Sequence, residues 1–161
     1  MAKIRIGFGF DVHRLEPGRA FWLGGIQLEH HQGSLGHSDA DVLIHAICDA
    51  LLGAANLRDI GFHFPNTDEA YKGIDSKVLL KKVGELLSNA GYSIGNIDAT
   101  LCLEQPKINP HIPAMQSVMS AVLGIPADDI SIKATTNEGL GYVGSEQGVN
   151  AYAVALIEKN T

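Results

Sequence analysis

The side chains of Asp11, His13 and His45 have the types and spacing expected of an open zinc site. Asp11 and His13 end an alternating apolar run, and residues two apart on a strand project from the same face. His45 lies in a separate, helix-like segment, so three ligands would converge and leave a fourth coordination position free. A free position is typical of catalytic zinc, whereas structural zinc sites are closed. The alternative is that His13 and His45 are ordinary, partly buried histidines.

A second set of polar residues follows a strand-like run near the C-terminus. Thr135 and Thr136 enter a glycine-rich stretch, where hydroxyl and backbone N–H groups can hold phosphate oxygens. Glu138 beside them is suited to a hard cation such as Mg²⁺. The alternative is a hydroxyl-stabilised turn with a solvated carboxylate. The following motif, GLGYVG at residues 139–144, does not indicate a dinucleotide fold, because a strand-like run follows it instead of a long helix. It predicts a flexible loop or tight turn.

Composition limits the possible classes of protein. With 161 residues and a net charge of −6, the chain predicts one domain over residues 1–161 and carries no basic cluster for nucleic acid. Motifs of serine or cysteine nucleophiles, zinc proteases and P-loop nucleotidases are missing from the sequence. The N-terminus has no signal-like apolar block and no apolar run is long enough to span a membrane, so we expect a cytoplasmic protein. Cys48 and Cys102 lie in apolar surroundings and are expected to be reduced core residues.

Hydrophobic periodicity predicts interleaved strands and helices. Strands are expected at residues 3–13, 97–103, 130–135 and 149–157, with a short hairpin of 21–23 and 26–28 turned at Gly24 and Gly25. Helices are expected from a cap at Ser38 to about Ala55, and over residues 75–90 and 110–123. The segment 59–73 is the one long loop candidate. This pattern predicts an α/β (α+β) two-layer sandwich, with a mixed sheet covered on one side by helices.

Within the first helix, Asp41, His45 and Asp49 share a face through four-residue spacing. One of the two aspartates could therefore accept the second ring N–H of His45 and fix its tautomer, while at least one of the two is expected to be a solvated charge on the helix surface.

Several motifs together resemble those of the 2-C-methyl-D-erythritol 2,4-cyclodiphosphate synthase family of the non-mevalonate isoprenoid pathway. They occur in the family's order and spacing over nearly the full length: GFDVH at 9–13, GHSDADV at 36–42, DIG at 59–61, FP at 64–65, QPK at 105–107, PHIP at 110–113 and KATT at 133–136, followed by Glu138. The resemblance implies Zn²⁺ on Asp11, His13 and His45, and Mg²⁺ or Mn²⁺ on Glu138. It also implies His37 and Thr136 as catalytic donors to transition-state oxygens.

The resemblance further implies a homotrimer whose sheets surround the threefold axis, with active sites at the subunit interfaces. Residues 37–38 would lie beside the substrate phosphate, 59–61 on the erythritol hydroxyls, and the neighbour's 103–109 on the cytidine. The implied substrate contacts are Asp11, Val12, His13, His37, Ser38, Asp59, Ile60, Gly61, Phe64, Pro65, Asn66, Thr67, Asp68, Leu103, Glu104, Gln105, Pro106, Lys107, Ile108, Asn109, Ala134, Thr135, Thr136, Asn137, Glu138 and Tyr142.

The implied activity is that of a CMP-forming phosphorus–oxygen lyase. The 2-phosphate of 4-diphosphocytidyl-2-C-methyl-D-erythritol 2-phosphate attacks the β-phosphorus, closing 2-C-methyl-D-erythritol 2,4-cyclodiphosphate and releasing CMP. Two alternatives remain: a metal-dependent phosphohydrolase and a non-catalytic trimeric small-molecule carrier.

Asn66 stands where many relatives have Asp. Ser145 and Tyr152 replace an Arg and a Glu with which some members bind an isoprenoid diphosphate, so we expect weak binding there.

Overall fold

The computed structural model describes residues 3–160. Its larger sheet has five strands in the order β4-β1-β7-β5-β6, and only the β5–β6 pair is parallel. These strands are β1 (Ile4–Pro17), β4 (Gln32–Leu35), β5 (Tyr92–Cys102), β6 (Ile130–Thr135) and β7 (Gly148–Lys159). The strands β2 (Phe21–Leu23) and β3 (Ile26–Leu28) form a separate hairpin. The predicted mixed sheet is confirmed.

Within residues 3–160, five α-helices connect or flank the strands. They are α1 (Val42–Ala54), α2 (Ile60–His63), α3 (Ser76–Asn89), α4 (Ile112–Leu123) and α5 (Gly141–Gly144). Short 3₁₀ turns cover Glu69–Tyr71, Asn109–His111 and Ala127–Asp129. The predicted long loop therefore contains two short helical turns. Within the 139–144 motif, predicted to be a flexible loop or tight turn, Gly141–Gly144 forms the single helical turn α5, and β7 follows it.

The expected start of α1 at Ser38 is wrong, because Asp41 is the N-cap. The Asp41 carboxylate accepts the N–H of Ile44 at 3.0 Å, which satisfies one of the free donors of the first turn. The Ser38 hydroxyl instead accepts the N–H of Ala40 at 3.1 Å, in a turn that precedes the helix. Sequence patterns also missed β4, because its sequence Gln-Gly-Ser-Leu has none of the β-branched or aromatic residues that indicate a strand.

Helix α1 packs against β1 by direct backbone contact. A Cβ placed on Gly9 would lie 1.9 Å from the carbonyl oxygen of Ala46, and one on Gly7 would lie 1.9 Å from that of Ala50. The two glycines and the small residues of α1 therefore let a helix and a strand approach more closely than larger side chains permit. This contact brings the helix that carries His45 against the strand that carries Asp11 and His13.

The opposite face of the sheet is apolar and exposed. On β1, the side chains of Ile6 and Phe8 are 69% and 63% exposed. On β7, Tyr152 lies opposite Phe10 and Val154 opposite Phe8, so the two strands form one continuous surface. We call this the apolar sheet face: Ile4, Ile6, Phe8, Phe10, Val12, Tyr152 and Val154. Contiguous exposed apolar surface of this kind marks an interaction site.

Within residues 3–160, no helix has the length and apolar character needed to cross a membrane. Cys48 and Cys102 are both buried and free, as expected.

Candidate metal centre and active site

Asp11, His13 and His45 converge at one point between β1 and α1. Asp11 Oδ2 lies 2.9 Å from His13 Nε2 and 3.0 Å from His45 Nδ1, and the two nitrogens are 3.2 Å apart. For zinc bonds of about 2.0–2.1 Å, tetrahedral ligand atoms are separated by about 3.3 Å. The three atoms therefore form a nearly equilateral triangle of almost the required size. The donor set of the structure fits a divalent cation.

The electrostatics of this trio favour positive charge beside a carboxylate. Burial alone would raise the pKa of Asp11, but hydrogen bonding with His13 and His45, and their charges, lower it to about 2. Burial opposes protonation of His13, yet the hydrogen bond that protonated His13 makes with Asp11 raises its pKa. A metal needs both imidazoles in their neutral form, so protonation of the trio and cation binding compete.

The second nitrogen of His13 is fixed by the backbone. His13 Nδ1 lies 2.9 Å from the carbonyl oxygen of Leu35, which can only accept a hydrogen bond. Nδ1 therefore carries the proton, and the lone pair of Nε2 faces Asp11 and His45.

The second nitrogen of His45 has a different partner from the one expected. Its Nε2 lies 2.9 Å from Ser76 Oγ and 3.2 Å from Ser38 Oγ. The expectation that Asp41 or Asp49 would accept this N–H is wrong. Asp41 accepts the N–H groups of Gly24 and Gly25, at 3.0 and 2.7 Å, and Asp49 accepts that of Ile60 at 2.8 Å. The two carboxylates are engaged in holding neighbouring segments onto α1.

A pocket of about 210 Å³ opens beside the trio. Of the residues predicted to contact substrate, it is lined by His13, His37, Ser38, Ile60, Phe64 and Asn66, together with the ligand His45. His37 Nε2 lies 3.4 Å from the carbonyl oxygen of Asp68, so the segment before α1 meets the 59–73 segment beside the pocket. Asp49 anchors this region through the Ile60 N–H, and burial raises the pKa of Asp49.

A separate pocket of about 270 Å³ lies at the ends of β5 and β6. It is lined by Leu103, Pro106, Lys107, Ile108, Asn109, Ala134, Thr135 and Thr136, and it shares none of these residues with the first pocket. Glu104 Oε1 accepts the N–H of Asn137 at 2.8 Å and so ties the two loops together. Glu138 is exposed and accepts the Thr136 hydroxyl at 3.2 Å.

The remaining predicted contacts line neither pocket. Val12 and Tyr142 border a third recess together with His13. Exposed residues at the rim of the first pocket include Asp59, Gly61, Pro65, Thr67 and Asp68, while Gln105 belongs to the loop of the second pocket. Asp59 caps α2 by accepting the N–H of Phe62 at 3.3 Å.

Sequence reasoning missed four residues of the site. Tyr71, Ile74 and Leu79 line the first pocket, and Ser76 contacts His45. These residues lie around the start of α3, at least 26 positions along the chain from Asp11, His13 and His45. Periodicity predicts the helix, but it gives no signal that its N-terminus meets His45.

Comparison with known proteins places the chain in a family. The model of the YgbB family matches residues 4–158. The chain is 68% identical over 157 residues to 2-C-methyl-D-erythritol 2,4-cyclodiphosphate synthase of Cytophaga hutchinsonii, covering 98% of this chain and 99% of the relative. It is 66% identical over 158 residues to the synthase of Bacteroides thetaiotaomicron, with coverage of 98% and 99%.

Solved structures agree with this relationship. A 2C-methyl-D-erythritol-2,4-cyclodiphosphate synthase in its CDP-bound form superimposes with a TM-score of 0.88 at 39% identity, over 95% of this chain and 99% of that one. The CDP complex of Plasmodium falciparum IspF gives a TM-score of 0.87 at 32% identity, over 98% and 97%. The match extends over sequence, fold and chain length, and the chain therefore belongs to the YgbB family of 2-C-methyl-D-erythritol 2,4-cyclodiphosphate synthases.

Proposed function

We propose that this protein converts 4-diphosphocytidyl-2-C-methyl-D-erythritol 2-phosphate to 2-C-methyl-D-erythritol 2,4-cyclodiphosphate and CMP. The observation that carries the proposal is the convergence of Asp11, His13 and His45 beside a pocket that also contains His37 and Ser38. The relatives with this name at 66–68% identity support it. The 2-phosphate oxygen forms a bond to the β-phosphorus, the bond from that phosphorus to the α–β bridging oxygen breaks, and CMP leaves with the bond's electron pair.

Zn²⁺ is the metal proposed for the trio. One carboxylate and two imidazoles leave a fourth position free, and both histidines have a fixed partner for the nitrogen that does not face the site. When bound, zinc would supply Lewis-acid polarisation of a phosphoryl oxygen. Glu138 is the proposed protein ligand of Mg²⁺ or Mn²⁺, because Mg²⁺ commonly combines one or two carboxylates with substrate phosphates.

The chain's own residues would position and neutralise two anionic groups. We assign His37, in the first pocket, and Thr136, in the second, as hydrogen-bond donors to oxygens that gain charge in the transition state. A buried donor in this role lowers the activation free energy by about 2.7–4 kcal/mol. Lys107 in the second pocket would offset nucleotide phosphate charge. No nucleophile from the protein is needed, since the substrate contains its own.

The second pocket is proposed to hold cytidine. Its eight lining residues all fall within the segments that the sequence predicts for cytosine, ribose and diphosphate contacts. The CDP bound to structural relatives supports a pyrimidine nucleotide as the ligand. The substrate would have to reach from this pocket to the trio.

We propose a homotrimer in which each active site joins the first pocket of one subunit to the second pocket of its neighbour. Two features support this assembly. The two pockets share no lining residue within one subunit, and the apolar sheet face provides a surface for contact with further copies of the chain. The proposed threefold axis would lie along this face.

Incubation of the purified protein with the cytidylyl substrate and Mg²⁺ tests the proposal. Phosphorus NMR should show the cyclic diphosphate and CMP in equal amounts. His45→Ala should lose zinc and activity together, whereas His111→Ala, a change at an exposed histidine that lines neither pocket, should retain both. Release of inorganic phosphate would instead indicate a phosphohydrolase, and substrate binding without CMP would indicate a carrier. Full zinc content and full rate in His45→Ala would contradict the ligand assignment.

A further inference from the structure

Ser76 is the first residue of α3, fully buried, and in contact with His45 on the side away from Asp11 and His13. We infer that Ser76, held by Asp39, is a positioning residue that fixes the tautomer of His45 and so leaves Nδ1 free to bind the metal. This inference rests on the proposed function, because it takes His45 as a metal ligand. It adds two residues that neither the ligand set nor the pocket lining includes.

The hydrogen-bond donors around Ser76 determine where the His45 proton lies. Ser76 has one hydroxyl proton, and it hydrogen-bonds to Asp39 Oδ1. A carboxylate can only accept, so the hydroxyl must donate its proton to Asp39. The Ser76 oxygen is then left with lone pairs facing His45 Nε2 at 2.9 Å. His45 therefore donates from Nε2 in this hydrogen bond, so the neutral ring has its lone pair on Nδ1, which faces Asp11 and His13.

Asp39 fixes Ser76 at two points. Its Oδ2 accepts the Ser76 backbone N–H at 2.9 Å, while Oδ1 accepts the hydroxyl. Neither the main chain nor the side chain of Ser76 can move away from His45 without breaking one of these bonds. Three segments thereby meet at the His45 ring: the turn before α1, α1 itself and the start of α3.

The opposite tautomer would obstruct metal binding. With the proton on Nδ1, His45 would direct an N–H toward the oxygen of Asp11, 3.0 Å away, and would have no lone pair for the cation. Loss of a partner that orients a histidine ligand commonly reduces metal affinity by about 10- to 100-fold. The Ser38 oxygen, 3.2 Å from Nε2, is a second acceptor, so the expected loss lies toward the lower end.

The tautomer can be measured directly on the metal-free wild-type protein. Long-range ¹H–¹⁵N correlation spectra distinguish protonated from unprotonated ring nitrogens, and His45 is assigned by its absence from the spectrum of His45→Ala. We expect Nε2 of His45 to be protonated. An unprotonated Nε2 would overturn the inference, and this measurement needs no variant of Ser76.

Zinc affinity provides the second test. Competition with a chromogenic chelator should give a dissociation constant about tenfold higher or more for Ser76→Ala, while Ser76→Thr, which keeps the hydroxyl, should restore tight binding. Ser88→Ala is the matched control, since Ser88 is exposed on the same helix. Circular dichroism checks folding, and if Ser76→Ala does not fold, the wild-type tautomer decides.

The outcomes separate this inference from the proposed function. A folded Ser76→Ala protein that binds zinc within threefold of wild type would overturn the inference, even if the wild type makes the cyclic diphosphate. If wild type has the expected tautomer and Ser76→Ala binds zinc more weakly, but wild type forms no cyclic diphosphate, the proposed reaction is refuted and this inference stands.

Discussion

Replacing Asp41 by alanine should destabilise the protein far more than the same change at Asp75, although both residues are helix N-caps. Asp41 is fully buried and accepts three backbone N–H groups: those of Gly24 and Ile44 at 3.0 Å and that of Gly25 at 2.7 Å. Asp75 is exposed and accepts the N–H of Lys77 at 2.8 Å. Asp41→Ala therefore removes a cap that joins α1 to the β2–β3 turn, whereas Asp75→Ala removes a cap whose backbone contact is within its own helix.

The expected magnitude follows from the number of buried donors left without a partner. Each unsatisfied buried N–H costs about 1–3 kcal/mol. Three of them would cost about 3–9 kcal/mol, but removal of a buried carboxylate also relieves its desolvation, so we expect about 3–5 kcal/mol for Asp41→Ala. Loss of an ordinary cap costs about 1 kcal/mol, which is the expectation for Asp75→Ala.

Urea unfolding of metal-free protein, followed by circular dichroism at one protein concentration, measures both free energies of unfolding. Omitting the metal removes the additional stabilisation that binding to the folded state would supply. If Asp41→Ala lost no more free energy than Asp75→Ala, the view that Asp41 joins α1 to the β2–β3 turn would be wrong.

The pH dependence of the difference in unfolding free energy between wild type and Asp41→Ala gives a further check. Burial raises the pKa of Asp41 from its ordinary 3.8, although the N–H groups of Gly25 and Ile44 oppose the shift. A raised folded-state pKa means that the folded protein binds the proton more tightly than the unfolded chain. The stabilising contribution of Asp41, taken as wild type minus variant, is therefore greatest below 3.8 and falls as the pH rises through the folded-state value. If the difference in unfolding free energy between wild type and Asp41→Ala grew as the pH rose above 3.8, the raised pKa assigned to Asp41 would be wrong.

Three further predictions concern packing, thiols and assembly. In urea unfolding, Gly9→Ala should lower the free energy of unfolding by about 3 kcal/mol or more, because the added Cβ meets the Ala46 carbonyl oxygen. Gly84→Ala in α3 should leave this free energy unchanged or raise it. Cys48 should react with iodoacetamide only after unfolding, since burial keeps the pKa of its thiol well above the ordinary value; labelling of the folded protein would contradict this. Phe8→Asp should reduce the sedimenting mass of the assembly, whereas Val78→Asp, at an exposed position on α3, should not; unchanged mass would argue against contacts through the apolar sheet face.

Local patterns in the sequence were sufficient for most secondary structure. The hairpin of β2 and β3 and the strand β6 were predicted to the residue, and α3 was predicted to within one residue at each end, because alternation, capping residues and glycine stops are local signals. The same local rule put Asp11 and His13 on one face of a strand. Their pairing with His45 was predicted from residue types and from the family resemblance, and the structure brings the three together.

Tertiary packing decided which face of β1 is covered. Ile6 and Phe8 alternate with Gly7 and Gly9, and ordinary hydrophobic patterning would put the larger apolar side chains in the core. In the structure the glycine face is covered, because α1 approaches closely enough to contact backbone, and the apolar face stays exposed. Local sequence could not reveal this choice, since it depends on where a distant helix packs.

The sequence by itself determined the ligand types, their spacing on β1 and the order of the main strands and helices, because each depends on neighbouring residues. Only the tertiary structure decided that Ser76 and Asp39, and not Asp41 or Asp49, hold the far side of the His45 ring. Helical spacing gives the residues that share a face of α1, but the partner of a buried N–H is whichever acceptor the packing of other segments brings to it.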